Sequence, residues 1–130
     1  MPYPLRFHLY FFVASVVIVI AVCQVALSAQ ERISPVDAAK YVGKSVTVCG
    51  RVALANYVVN SVGRPTYLNL DRPYPNHIFT VIIWGENRSR FSTPPEKAYS
   101  GKKICVSGTV TSFQEESQMV VTSPSQITVE

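Results

Sequence analysis

Ser45-Val46-Thr47-Val48-Cys49-Gly50-Arg51-Val52 alternates apolar and polar side chains, the period-two pattern of a strand buried on one face. Val46 and Val48 fall on one side; Thr47, Cys49 and Arg51 fall on the other. Gly50 interrupts the run and predicts a bulge or sharp bend, the device by which a strand curls round a corner. Apolar residues continue to Val59, so this first strand is expected to be long and bent. The stretch returns in Gly101-Lys102-Lys103-Ile104-Cys105-Val106-Ser107-Gly108-Thr109-Val110, which aligns without gaps on Gly43 to Val52. Both begin Gly-Lys, alternate, and carry a glycine before a final Val, as two strands that start at similar turns and bend at equivalent points.

Between these two strands the period stays at two. Thr66 to Asp71 predicts a second strand with Leu68 and Leu70 inward and Tyr67 and Asn69 outward. It follows a turn-rich loop, Asn60 to Pro65. His77 to Trp84 predicts a third, with Phe79, Val81 and Ile83 on the core face and Ile78, Thr80, Ile82 and Trp84 on the other. The two prolines of Arg72-Pro73-Tyr74-Pro75-Asn76 make the link an extended turn. Glu86 to Gly101 reads as a connection with at most a short helix, anchored by Phe91 and Tyr99 and covering one end of the sheet. Lys103 to Val110 is the fourth strand and Ser112 to Ser117 a charged loop tip. Met119 to Thr122 with Ile127 to Val129 is a fifth strand broken at Pro124. Upstream, Ile33 to Tyr41 predicts a short helical lead-in, with Ser34 as cap, Pro35 at its first position and Asp37 near the positive end of the dipole.

The first 29 residues of the 130 read differently. Arg6 precedes the uncharged run Tyr10 to Val22, and Val25-Ala26-Leu27-Ser28-Ala29 is a small-residue exit: a secretory signal with cleavage after Ala29. An uncleaved anchor over 9–29 is the first rival, since a span needs about 20 apolar residues. Lipidation at Cys23 is the second, although Val22 is not the small residue that such a site usually carries. Each places the rest of the chain outside the cytoplasm, periplasmic or secreted. Without residues 1–29 the 12 Lys and Arg lose one and the 8 acids none, so the net charge is +3, which excludes a polybasic tail. Cys49 and Cys105 are left. In an exported domain of this size two cysteines more often form a disulfide than free thiols, with a small buried hydrophobe as the alternative for either.

Five strands, a lead-in helix over 30–42 and a non-strand insertion between strands three and four follow the order of an OB-fold. The expectation is an all-β, five-stranded closed OB barrel over 43–130, with a short helix or loop between strands three and four. Gly43-Lys44 with Val48-Cys49-Gly50-Arg51-Val52, Pro65-Thr66-Tyr67-Leu68-Asn69-Leu70, Tyr74-Pro75-Asn76 and Phe79-Thr80-Val81-Ile82-Ile83-Trp84 resemble a group of bacterial secreted OB-fold proteins. So do Gly101-Lys102 with Cys105-Val106-Ser107-Gly108-Thr109-Val110, and Ser123-Pro124-Ser125-Gln126-Ile127. Such domains are also found appended to exported nucleases and are nucleic-acid-binding-like, related to the anticodon-binding OB domains. The resemblance spans Lys40 to Val129 and implies that strands one and four lie side by side and antiparallel. On that basis Cys49 and Cys105 face each other and a disulfide between them is expected.

Catalysis finds little support. His77 is the one histidine beyond residue 29, at the edge of a turn, and reads as a surface strand residue. No closely spaced His, Cys, Asp or Glu cluster has metal-ligand spacing, and Glu115-Glu116 reads as a solvated tip. A nuclease needs several carboxylates and arginines in one pocket, and only Asp71, Arg72 and Glu86 fall near one another. The sequence therefore predicts no catalytic residue, no metal and no cofactor. OB barrels that take single strands present outward aromatics flanked by cations. Tyr67 and Trp84 have the outward parity, Tyr57 and Tyr74 adjoin them, and Arg51, Arg64, Arg72, Arg88 and Arg90 supply charge. The competing reading packs Trp84 and Ile82 beneath the 86–101 connection and uses Tyr67 to fill a barrel end. The expected partner is single-stranded nucleic acid, or an envelope protein using the same face, with membrane contact only through 9–29 if that segment is retained.

Overall fold

Strand β2 (Ser45–Tyr57) organises the chain, because its two halves pair with different neighbours. The computed structural model describes residues 29–130, and the segment read as signal or anchor lies outside these but for Ala29. The first half of β2 runs antiparallel to β5 (Lys103–Thr109), from Ser45 opposite Thr109 to Arg51 opposite Lys103. On its other side is β1 (Arg32–Ile33), parallel to Thr47 and Val48. The second half pairs with β3 (Thr66–Leu70), and the register shifts between Val52 and Leu54. The bulge thus falls after Gly50, not at it. Gly50 is required for a different reason: a Cβ there would lie 2.8 Å from Asp71 Oδ1 and from Pro35 Cγ.

From β3 the sheet continues to β4 (Phe79–Ile83), antiparallel, and to β7 (Glu116–Val120), which runs parallel to β4. Next comes β6 (Thr111–Phe113), the hairpin partner of β7; on the opposite edge β8 (Ile127–Val129) lies against β5. The order is β6-β7-β4-β3-β2-β5-β8, with β1 beside β2. The expected five-stranded closed barrel is therefore corrected to an open eight-stranded sheet ending at β6 and β8, in a mixed fold with short helical elements. These are 3-10 helices at Pro35–Tyr41, Gly85–Arg90 and Pro124–Gln126 and a helical turn at Pro95–Ala98.

The extra strands have local causes. At Val110 the backbone N–H donates to Lys44 O (3.0 Å) and the carbonyl accepts from Gly43 (2.7 Å). The chain is thereby tied to the start of β2, and the residues after it leave β5 to pair with β7. The tip expected over 112–117 is instead a tight turn at Gln114 and Glu115, both with positive φ (49° and 66°). Beyond β7, a capping box between Ser123 and Gln126 turns the chain, so Ile127–Val129 joins β5 on the far side of the sheet. Arg32 and Ile33, expected within or beside a lead-in helix, form a parallel strand, and helix begins only at Pro35.

A single apolar cluster underlies the sheet. Val46, Val48 and Val52 meet Leu68, Leu70, Phe79, Val81, Ile83, Ile104, Val106 and Met119, all almost fully buried. Fully burying side chains of this kind contributes about 1.5–3 kcal/mol each. Phe91 and Tyr99, from the 86–101 connection, close one end with an edge-to-face contact at 6.3 Å. No helix among the described residues is long and apolar enough to cross a membrane.

Candidate binding groove

On the face of the sheet away from this core, strand alternation places two rows of side chains across β2, β3, β4 and β7. One row is Leu54, Asn69, Thr80 and Gln118; the other is Asn56, Tyr67, Ile82 and Val120. The register shift after Val52 lets both rows form, because it restores Leu54 and Asn56 to the outward side. Asn69 Nδ2 donates to Thr80 Oγ1 at 2.9 Å, fixing two polar groups on the floor.

Two connections raise walls around this floor and leave a groove of about 440 Å³. From the β3–β4 link come Tyr74 and His77, whose rings stack at 5.5 Å with planes 25° apart. From the β6–β7 hairpin come Gln114 and Glu116. His77 Nε2 lies 2.7 Å from a Glu116 carboxylate oxygen, so a hydrogen bond joins the two walls. The His77 side chain is 10% exposed, and its Nδ1 is buried without a hydrogen-bond partner. Tyr74 is 70% exposed and covers the ring from outside. The lining is thus mainly aromatic rings and side-chain amides, with Leu54, Val58, Thr80 and Glu116 among them. None of its described residues is Lys or Arg.

Of the residues singled out from the sequence, Tyr67 and Tyr74 line the groove. Tyr57, Trp84 and the arginines lie elsewhere. Arg88 is held within the fold: its Nη1 donates to Thr66 Oγ1 (2.6 Å) and to Glu96 (2.8 Å), Nη2 donates to the second Glu96 oxygen (3.2 Å), and its guanidinium lies 3.5 Å from the Tyr57 ring centroid. The bond from Arg88 holds the Glu96 carboxyl below its usual 4.5, and the carboxylate in turn raises the Arg88 value. The Trp84 ring rests against Gly63, where a Cβ would approach to 2.9 Å, with Arg64 and Glu86 beside it in a shallow hollow. Arg51 donates through its guanidinium to Gly101 O (2.8 Å) and Arg90 to Thr122 O (3.2 Å), while Arg72 sits in the exposed turn after β3. The arginines do not converge on Tyr67.

Asn56, Asn69, Gln114, Gln118, His77 and Glu116 were not anticipated as site residues. Asn69 is legible as an outward polar position, whereas Gln118 falls between the tip read over 112–117 and the strand read from Met119.

Cys49 and Cys105 are bonded to one another, with Cα atoms 4.0 Å apart, at directly opposed positions of β2 and β5. Backbone bonds link Lys44 with Val110 and Val52 with Lys102. Cys49 is an odd number of residues from both Lys44 and Val52, so its pair is a non-hydrogen-bonded one, where opposed residues approach most closely. Among the described residues the grouping with metal-ligand proximity is Cys49, Cys105 and Glu130. With its two sulfurs bonded together, that grouping offers no thiolate.

No protein-family model and no curated protein matches the chain. Among solved structures, a protein described as an aspartyl-tRNA synthetase from Leishmania major Friedlin is similar with a TM-score of 0.50 and 13% identity, over 82% of this chain and 22% of that one. An aspartyl-tRNA synthetase from Entamoeba histolytica gives a TM-score of 0.49 and 16% identity over 79% of this chain and 22% of its own. The chain spans about a fifth of the length of these proteins. At 13% identity the Leishmania likeness is one of fold alone.

Proposed function

We propose that the chain is a non-enzymatic, exported binding module whose groove takes a short single-stranded nucleic acid with its bases toward the sheet. The observation that carries this reading is the composition of the groove. Tyr67 stands between the amides of Asn56 and Asn69, with the Tyr74–His77 stack and Gln114 and Gln118 around it. A base offers a flat π-face to a tyrosine and donor and acceptor edges to amides, and the face and loops of OB-like sheets suit extended oligonucleotides. The disulfide fits an oxidising compartment. The described lining holds no Ser, Cys or Lys; its ionisable groups are tyrosines and the His77–Glu116 pair, whose side chains are engaged with each other.

Phosphates stay outside a groove without cations, so binding is expected to depend weakly on salt. Fluorescence anisotropy with labelled single-stranded DNA and RNA tests this. We expect a log K against log salt slope shallower than about −2, few phosphates being neutralised. Loss of stacking in Tyr67→Ala weakens binding about 5- to 150-fold, from roughly 1–3 kcal/mol per stacked base. No binding at low ionic strength, or an unaffected Tyr67→Ala variant, defeats the proposal.

The lack of Lys or Arg in the lining favours one second reading, an extended peptide of an envelope protein. That reading requires selected peptides to bind, and Tyr67→Ala to abolish their binding, where oligonucleotides fail.

A further inference from the structure

The strands that carry the disulfide present a second, separate feature on their outward side. Cys49, half-buried, lines a small open hollow with Arg32, Ser34, Lys103 and Glu130. Cys105 is 6% exposed and lies behind it. Arg32 reaches over from β1 with Nη2 2.8 Å from Cys105 Sγ and 3.3 Å from Cys49 Sγ. Glu130 bears on the same place with the opposite sign. One of its carboxylate oxygens is 3.0 Å from Cys105 Sγ, and the group is itself paired with Arg32 and, at 3.4 Å, with Lys103. Two cations and one carboxylate therefore surround a disulfide of which one sulfur is accessible.

Thiol–disulfide exchange is governed by access to the attacked sulfur and by the stability of the departing thiolate. An adjacent guanidinium or ammonium favours a thiolate. Both conditions point the same way here, the accessible sulfur being Cys49 and the one nearest Arg32 being Cys105.

We propose that Cys49 is a site of reversible mixed-disulfide formation with a small anionic thiol. The entering thiol, having given its proton to solvent, attacks Cys49 Sγ as a thiolate. A new S–S bond forms there, the Cys49–Cys105 bond breaks, and its electron pair leaves on Cys105 Sγ as a thiolate beside the Arg32 guanidinium. The entering thiol is oxidised to the disulfide level and Cys105 is reduced. Arg32 and Lys103 attract the carboxylates of a thiol such as glutathione, and Glu130 weakens both effects. Backbone pairing of β2 with β5 continues on either side of the bond, so the adduct stays folded.

Folded protein is incubated with glutathione at about pH 8, where an ordinary thiol is partly ionised, trapped with iodoacetamide and mapped by peptide mass spectrometry. Glutathione is expected on Cys49 with alkyl on Cys105, in at least about tenfold excess over the reverse, because the buried sulfur is the poorer target. Arg32→Gln slows exchange and Glu130→Gln speeds it, each by about threefold or more, through the stability of the leaving thiolate. Added salt slows glutathione but not uncharged 2-mercaptoethanol. Circular dichroism verifies that both variants stay folded, and the map on the unaltered chain is decisive without them. A bond that resists until denaturant is added, equal labelling of the two cysteines, or charge variants that shift the rate in the same direction overturns the proposal.

Discussion

Replacing Arg88 with methionine separates support of the fold from contact with a ligand. In the folded chain this guanidinium spans both Glu96 oxygens, donates to Thr66 and covers Tyr57, and Arg88 and Glu96 are only 18% and 20% exposed. Breaking a buried pair by deleting one partner costs about 3–5 kcal/mol. A pair one-fifth exposed is partly screened, which lowers the figure to about 2–4 kcal/mol, including the lost guanidinium–ring contact of about 2 kcal/mol at most. For a domain near 100 residues each kcal/mol moves Tm by about 4–8 °C, so Arg88→Met is expected to melt roughly 8–32 °C lower. The pH dependence has a definite sign. Because Arg88 holds the Glu96 carboxyl below 4.5 in the folded state, the pair's contribution is complete above that value. It is lost as pH falls through the lower folded value. Urea titrations of the native chain and Arg88→Met, at neutral pH and again in acid where the native chain remains folded, should give a stability gap that narrows in acid. A cost below about 1 kcal/mol at neutral pH, within the range of ordinary surface changes, would refute this reasoning, as would a gap that does not change with pH. Arg88 would regain a place in the binding site if methionine there left stability intact and weakened oligonucleotide binding.

Three further outcomes are expected. Full reduction of the disulfide, whose cysteines are 56 residues apart, should lower stability by about 4 kcal/mol through the entropy returned to the unfolded chain; urea midpoints with and without reductant measure it. Gly50→Ala should cost about 1–3 kcal/mol of overpacking, because the new methyl meets Pro35 and the Asp71 carboxylate that accepts from Arg51 N at 2.9 Å; thermal melts read the loss. Glu115→Gly should stabilise by about 0.5–1 kcal/mol, since a residue with a Cβ is strained at positive φ and glycine is not; the position has φ 66°, and an unchanged urea midpoint would show the turn to be unstrained.

Local alternation was enough to read Ser45 to Val52, Thr66 to Leu70 and Phe79 to Ile83, because the parity of a strand is set by its own side chains. It did not reveal partners. Whether Val110 continues β5 or turns away depends on backbone bonds to Gly43 and Lys44, more than sixty residues distant, and no side-chain pattern encodes them. The same limit joined β7 and β8 into one broken strand. Each half alternates correctly, but β7 lies parallel to β4 and β8 antiparallel to β5, on opposite sides of the sheet. Two-residue β1 is too short to show a period at all. The pairing of Cys49 with Cys105 came from the resemblance, since strand order was needed to bring the two together.

Tyrosine and arginine differ in how far sequence can carry a site. A tyrosine within a strand points where alternation puts it: Tyr67 lies outward in the groove, and Tyr57, one place past Asn56, falls on the opposite parity beneath Arg88. An arginine has a long flexible stem and five donors, so it goes to whichever oxygen is near. Arg51 goes to Gly101, Arg88 to Glu96 and Thr66, and Arg90 to Thr122. Counting arginines along strands therefore overstated the charge available to a phosphate chain. What remains on the groove floor is the part that alternation governs: Asn56, Tyr67, Asn69, Thr80 and Gln118, on four strands. In the proposed function, such a surface selects by stacking and edge-matching, with little help from long-range attraction.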